Sequence, residues 1–360
     1  MQGIKMLKGS HAMKHSLRST LLAAGAALSA VLIASGIADA EDRPVRFASA
    51  APDRTLIAGT VSLPDGEGPH PGVVILSGSG PQDRDGQDPS LGELRPYRDL
   101  AAQLVEAGYA VLRFDDRGAG ETPGEMNSAT VADLTGDAVG AWRALAAIDG
   151  ADPERIAYLG HSEGGAVAFA AAAETSPAAI VSLAGPAVDF REIFSAQYRA
   201  QQEATGDDQA AITANQQFLS IIYAEMDRQA DASPAEARAA LAAVFEQLGL
   251  PAEAGLDMLS SAYMRSWYAH DVRATIRAYD GPVLALYGEH DLSVLPAQNA
   301  ASMGGWIDPM NGSEVRVVAG HNHLFQPVES PLENPADQPS AIAPAVAASI
   351  VEWLDQVLGE

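Results

Sequence analysis

Three short stretches carry residue types whose order suits nucleophilic catalysis. Residues 160–164 read Gly-His-Ser-Glu-Gly, residues 287–294 read YGEHDLSV, and residues 319–326 read AGHNHLFQ. A serine hydroxyl attacks slowly unless a base takes its proton, and the base needs an acid that fixes its tautomer and stabilises the cation it becomes. Ser162 is the candidate nucleophile and Asp291 the candidate acid. His321 and His323 are both candidate bases, and their spacing does not choose between them.

A G-x-S-x-G stretch is common by chance, and its serine can be a spectator on a glycine-rich bend. It acquires meaning only between a strand and a helix, where it places the serine on a sharp turn at the top of a sheet. The hydropathy pattern supplies that setting. After a weakly alternating segment over residues 45–63 that suits an opening hairpin, VVILS (73–77) is an unbroken apolar run of the kind a strand buried on both faces requires, and YAVLRF (109–114), RIAYLG (155–160) and AAIVSLAG (178–185) read as further buried strands. Helical spacing fills the intervals at YRDLAAQLVEAG (97–108), VADLTGDAVGAWRALAAI (131–148) and GGAVAFAAAAE (164–174). Alternating strands and helices predict an α/β fold with a mostly parallel sheet, flanked by helices through right-handed crossovers.

From Asp189 to His270 only helical signals occur, and alternation then resumes with GPVLALYGEHD, a short helix near PAQNAAS, the strand candidate EVRVVAG and a closing helix over PAVAASIVEWLDQVLG. The expected organisation is a core of residues 41–188 and 271–360, with a helical cap over 189–270 inserted after the sixth strand. Ser162, Asp291 and the two histidines all follow predicted strands, the edge at which such sheets carry their reactive groups.

Composition narrows the partners. The 360 residues, 47% of them hydrophobic, suffice for one large globular core. Lys5, Lys8, Lys14 and Arg18 precede the uncharged run LLAAGAALSAVLIASGIA, which ends in Ala38-Asp39-Ala40. That is the pattern of a secretory signal peptide over residues 1–40, with Met13 as an alternative start, and it predicts a bacterial protein exported to the periplasm or medium without stable membrane association. The whole chain carries 47 acidic against 22 basic residues, a net charge of −25, and all three lysines lie in the leader. Such a polyanion disfavours nucleic acid and anionic membranes as partners. With no cysteine it has neither disulfides nor thiolate metal sites. His321 and His323 fall in a loop with no third ligand at recognisable spacing, so neither metal nor organic cofactor is expected. Asp83-Arg84-Asp85 and Asp115-Asp116-Arg117 read as salt-bridged loops bracing the strand ends.

GSGPQDRDG (78–86), RFDDRGAGET (113–122), GHSEGG (160–165), YGEHDLSV and NHLFQ (322–326) together resemble the capped α/β-hydrolases of esterase or serine-aminopeptidase type. Serine, acid, histidine is also that fold's triad order. The resemblance implies an α/β-hydrolase fold, and it implies that His323, the histidine of N-H-L-F-Q, is the base. Asp291 follows the strand expected to carry the acid, with Asp189 in reserve and Asp271 and Asp280 as further competitors. An oxyanion would meet the backbone N–H groups of Glu163, next to the nucleophile, and of Ser79, in the loop after the first buried strand. The expected activity is cleavage of a small-molecule carboxylic ester through an acyl-enzyme. A peptidase acting on short peptides is the alternative, and a non-catalytic binding protein of the same fold is the third reading.

Overall fold

The computed structural model describes residues 42–87, 92–251, 255–339 and 341–359. The signal-peptide expectation for residues 1–40 lies outside them. The chain opens with β1 (Asp42–Ala48) and β2 (Leu56–Ser62), an antiparallel pair. There follow β3 (His70–Leu76), α1 (Pro96–Glu106), β4 (Ala110–Phe114), α2 (Val131–Ala146), β5 (Ala151–His161), α3 (Glu163–Thr175) and β6 (Ala179–Leu183). Six helices come next: α4 (Phe190–Thr205), α5 (Gln209–Arg228), α6 (Pro234–Gln247), α7 (Leu256–Leu259), α8 (Ala262–Ala269) and α9 (Val272–Arg277). The chain closes with β7 (Val283–Gly288), α10 (Pro296–Gly304), β8 (Glu314–Val318) and α11 (Pro344–Leu358).

The strands form one sheet in the order β1-β2-β4-β3-β5-β6-β7-β8. The first two pairings, β1 with β2 and β2 with β4, are antiparallel, and the rest are parallel. The buried stretches of the central strands are mostly apolar because successive residues serve two cores. Val73 and Ile75 of β3, Ala157 and Leu159 of β5, and Leu284 and Leu286 of β7 pack with α1 and α11 on one face. Val74 and Leu76, Ile156 and Tyr158, and Val283, Ala285 and Tyr287 pack on the other, with α2, α3, α9 and α10. The side-chain period of two thus converts an unbroken apolar run into two faces of one layer.

Between β6 and β7, helices α4 to α8 assemble a third cluster of their own, with Phe194, Leu219, Ile222, Met226, Leu241, Phe245 and Met264 buried together. Their starts are written locally. Asp208 accepts from the Ala211 amide at the head of α5, Ser233 and Glu236 form a reciprocal capping box at α6, and Ser261 accepts from the Met264 amide at α8. This insertion meets the sheet layer through α8, where Trp267 joins the main core and the Ser266 hydroxyl accepts from the Val131 amide at 3.0 Å. No helix among the described residues is long and apolar enough to cross a membrane.

The face covered by α11 hinges on Trp353, which is 1% exposed and donates its indole N–H to the Gly312 carbonyl at 2.9 Å. Trp353→Ala removes that packing and orphans the carbonyl, and should cost about 3–5 kcal/mol, read as a lowered midpoint in urea unfolding with little change in slope.

Candidate active site

β5 runs into α3 with a single residue between them. Ser162 occupies that position with φ 52° and ψ −120°, a conformation that L-residues rarely hold. Surrounding bonds impose it: the Ser162 amide donates to the Leu183 carbonyl of β6 at 2.8 Å, and the Gly165 amide donates to the Ser162 carbonyl at 2.9 Å. The turn closes only because its neighbours lack side chains. A Cβ on Gly160 would run into the Gly164 carbonyl, and one on Gly164 into the carbonyls of Leu76 and Ser77 at the end of β3. The half-buried serine is therefore held up at the carboxyl edge of the sheet.

Asp291, at the end of β7, is 1% exposed. One carboxylate oxygen accepts from the amides of Ser293 (2.7 Å) and Val294 (2.9 Å), and the other meets Nδ1 of His323 at 2.7 Å. The loop after β8 that presents His323 is clamped from both sides of that residue. The Asn322 side chain accepts from the amides of Leu324 and Gln326, each at 3.0 Å, and donates to the Gln326 side chain at 2.8 Å, while Gln326 donates to the Pro335 carbonyl at 3.1 Å. That is the physical content of the N-H-L-F-Q stretch. His321 faces elsewhere, with its Nδ1 2.7 Å from the Ala319 carbonyl. Asp189 is spent on an ion pair with Arg273, and Asp271 caps α9 through the Ala274 amide. The geometry therefore joins Asp291 to His323, and not to His321, while Asp189 and Asp271 are engaged elsewhere and Asp280 is exposed.

His161, beside the serine, is buried and links the three loops. Its Nε2 lies 3.0 Å from the His323 carbonyl and its Nδ1 lies 3.3 Å from the Tyr97 hydroxyl, which accepts the Gly78 amide at 3.0 Å. Burial, with His323 adjacent, pushes the His161 imidazole down to about 3, so it is neutral. A neutral ring here donates from Nε2 and accepts at Nδ1, so protons run in one direction from Gly78 to His323. The sequence alone does not identify Tyr97, whose position near the start of α1 carries no signal beyond that of a core aromatic.

The loop after β3 lies directly against Ser162, since a Cβ on Gly78 would sit 3.3 Å from the Ser162 Cβ. Ion pairs brace this corner as expected. Arg84 grips Asp115 through Nε at 2.9 Å and a second nitrogen at 2.6 Å, and Arg117 grips Asp137 at 2.7 and 2.9 Å. Asp116 differs from its neighbours: it takes the Ser77 hydroxyl at 2.6 Å and the Gln82 amide at 3.0 Å, and no cation. Burial raises it to about 7. Burial likewise raises Glu163 to about 8, with the nearby Asp116 charge adding to the effect. The Glu163 carboxyl, together with Asp116, Ser77 and Asp137, lines a cavity of about 20 Å³, and Glu163 accepts the hydroxyl of Tyr263 from α8. Among the described residues, no group of three or more His, Asp or Glu side chains is disposed to hold a metal ion.

A family model for the alpha/beta hydrolase fold matches residues 76–330, from the end of β3 to beyond His323. The chain belongs to the α/β-hydrolase family. Within the family, Esterase EstD of Thermotoga maritima is 30% identical over 146 residues, 41% of this chain and 34% of that protein, so the match spans about a third of the relative's length. Among solved hydrolase structures, the Pyrococcus furiosus esterase Pf2001 superposes with a TM-score of 0.54 at 15% identity, over 89% of this chain and 92% of that one. A thermophilic esterase from Thermogutta terrifontis gives 0.52 at 20% identity, over 88% and 99%. At these identities the structures establish a shared fold.

Two expectations follow from this geometry. Gly164→Val should abolish turnover and lower the thermal midpoint by several degrees, because the new side chain meets the β3 carbonyls; calorimetry alongside a rate assay reads both. Asp116 and Glu163 bind protons more tightly in the folded chain than in the unfolded one. Their favourable contribution is complete below their ordinary values of 3.8 and 4.5 and is lost as pH rises through about 7 and about 8. Asp116→Asn should therefore reduce the fall in thermal midpoint between pH 5 and pH 8.

Proposed function

We propose that this protein is a serine hydrolase that cleaves carboxylic esters through an acyl-enzyme, with Ser162 as nucleophile, His323 as general base and acid, and Asp291 as the carboxylate that orients it. The observation that carries the reading is the 2.7 Å bond between Nδ1 of His323 and the buried Asp291, made by a histidine whose own carbonyl is tied to His161, the residue beside the serine. Engagement of Nδ1 leaves Nε2 as the proton acceptor, the tautomer this chemistry uses.

In the forward step the Ser162 oxygen attacks the acyl carbon and its proton passes to Nε2 of His323. Negative charge develops on the former carbonyl oxygen, which accepts hydrogen bonds from the backbone N–H groups of Glu163 and Ser79; the loss of one such donor typically costs about 3–4 kcal/mol in the transition state. Collapse of the intermediate expels the alcohol, which takes the proton from His323. Water then repeats the sequence against the acyl-serine and releases the acid. No step requires a cofactor. The helices between β6 and β7 would act as a cap that shields the reacting groups and selects substrates. Export rests on the leader pattern of residues 1–40.

Purified protein assayed against p-nitrophenyl esters and aminoacyl-nitroanilides should turn over the esters, and Ser162→Ala should abolish the rate. Turnover of the nitroanilides alone would favour the peptidase reading, and a rate that survives Ser162→Ala would overturn the triad. His323→Ala should lower kcat by several orders of magnitude, whereas His321→Ala should leave it within about threefold of the parent.

A further inference from the structure

The Tyr263 hydroxyl reaches the two residues whose amides are assigned to the oxyanion. Its ring comes from α8, in the insertion, and its O–H donates to the Glu163 carboxyl, while the Ser79 side chain approaches the same phenol oxygen. One side chain from outside the sheet thus spans the gap between the elbow and the loop after β3. Half-buried Ser77 and buried Asp116 are joined at 2.6 Å, and Asp116 also holds the Gln82 amide. Tyr263 thus holds Glu163 from the insertion, and Asp116, which holds the loop, lines the same small cavity as Glu163.

We propose that Tyr263 is a positioning residue for hydrolysis, which holds the amides of Glu163 and Ser79 in their oxyanion-binding arrangement, and that this latch works only while the Glu163 carboxyl is uncharged. The proposal rests on the ester-hydrolase reading above and adds to it a role for a side chain of the insertion and for the Glu163 carboxyl. The electrostatic reason is direct. Glu163 is the first residue of α3, so its carboxyl lies within one side chain's reach of the amide that would meet the developing oxyanion. A carboxylate there opposes the new negative charge in a site with little water to screen it, whereas a neutral carboxyl does not.

The groups facing Glu163 favour the neutral form. Asp116 approaches from the loop after β4, and Asp137 of α2 lines the same cavity with its charge already committed to Arg117. Leu76, Phe114, Met126, Leu134 and Val167 complete the wall. The Tyr263 hydroxyl is the hydrogen-bond donor that supports the charged form. No arginine contacts the Glu163 carboxyl among the described residues. Burial and these surroundings hold it near 8, within the working range of an esterase assay.

The test is the pH profile of kcat/KM for p-nitrophenyl acetate between pH 6 and 10, with Ser162→Ala as the blank for spontaneous hydrolysis. The parent should lose about tenfold or more as pH rises through about 8. Glu163→Gln should remove that alkaline limb, so that its ratio of rates at pH 9 and pH 7 rises above the parent's. Two further variants should move the limb in opposite directions. Asp116→Asn removes a negative neighbour and should shift it to lower pH, and Tyr263→Phe removes a donor to the carboxylate and should shift it to higher pH. Tyr263→Phe should also lower kcat at pH 7 about tenfold with KM within about twofold. A merely structural loss would not produce opposed shifts, and circular dichroism identifies any variant that fails to fold, leaving the others to decide. An alkaline limb that persists in Glu163→Gln, or a Tyr263→Phe effect on KM alone, would overturn the proposal. A rate that survives Ser162→Ala would instead overturn the hydrolase reading.

Discussion

Loops from separate strand ends have to meet within a few ångströms, and the buried neutral imidazole of His161 is where they are joined. Its two nitrogens face Tyr97, which holds Gly78 of the loop after β3, and the carbonyl of His323 in the loop after β8. Because His161 is the last residue of β5, this junction is anchored in the middle of the sheet. The chain of donors has one direction only while the ring is uncharged. A protonated His161 would have no acceptor for the Tyr97 hydroxyl and would put a cation beside His323, so burial here sets a tautomer as well as a position.

The elbow beside it is an exchange of local strain for placement. A left-handed φ at a serine is unfavourable by itself, and it persists because β6 takes its amide, α3 starts at the next residue, and two glycines allow the strand and helix backbones to approach within side-chain distance. The acidic cluster below follows the same logic. Asp116 and Glu163 lie where burial disfavours their charged forms, at odds with the arginine pairing of Asp115 and Asp137 nearby. Groups held against their solution preference at the mouth of a site are the ones whose titration is felt there.

Much of this was legible in the chain. The mostly apolar stretches at 73–77, 155–160 and 178–185 correspond to β3, β5 and β6, since a strand covered on both faces has few polar positions to break its pattern. Ser162, Asp291 and His323 were legible because their motifs sit at strand ends, although spacing alone did not separate His323 from His321. What separates them is the bond of His323 to Asp291, in a loop held by the Asn322 and Gln326 side chains, whereas His321 turns to the Ala319 carbonyl. Tyr97, Asp116 and Tyr263 were not legible as parts of one site. Each lies far in sequence from the serine and reads locally as an ordinary core aromatic or loop acid, and only the fold brings them together.

The insertion between β6 and β7 packs Phe194, Leu219, Ile222 and Phe245 around a centre separate from the two cores that sandwich the sheet. Packing defects usually propagate through shared neighbours, and here few are shared. Replacements within those helices can therefore accumulate while the strand order, the elbow and the clamped histidine loop stay as they are. The interior of the insertion can thus be repacked as a unit that stays tied to the sheet layer through Tyr263 and Trp267 of α8.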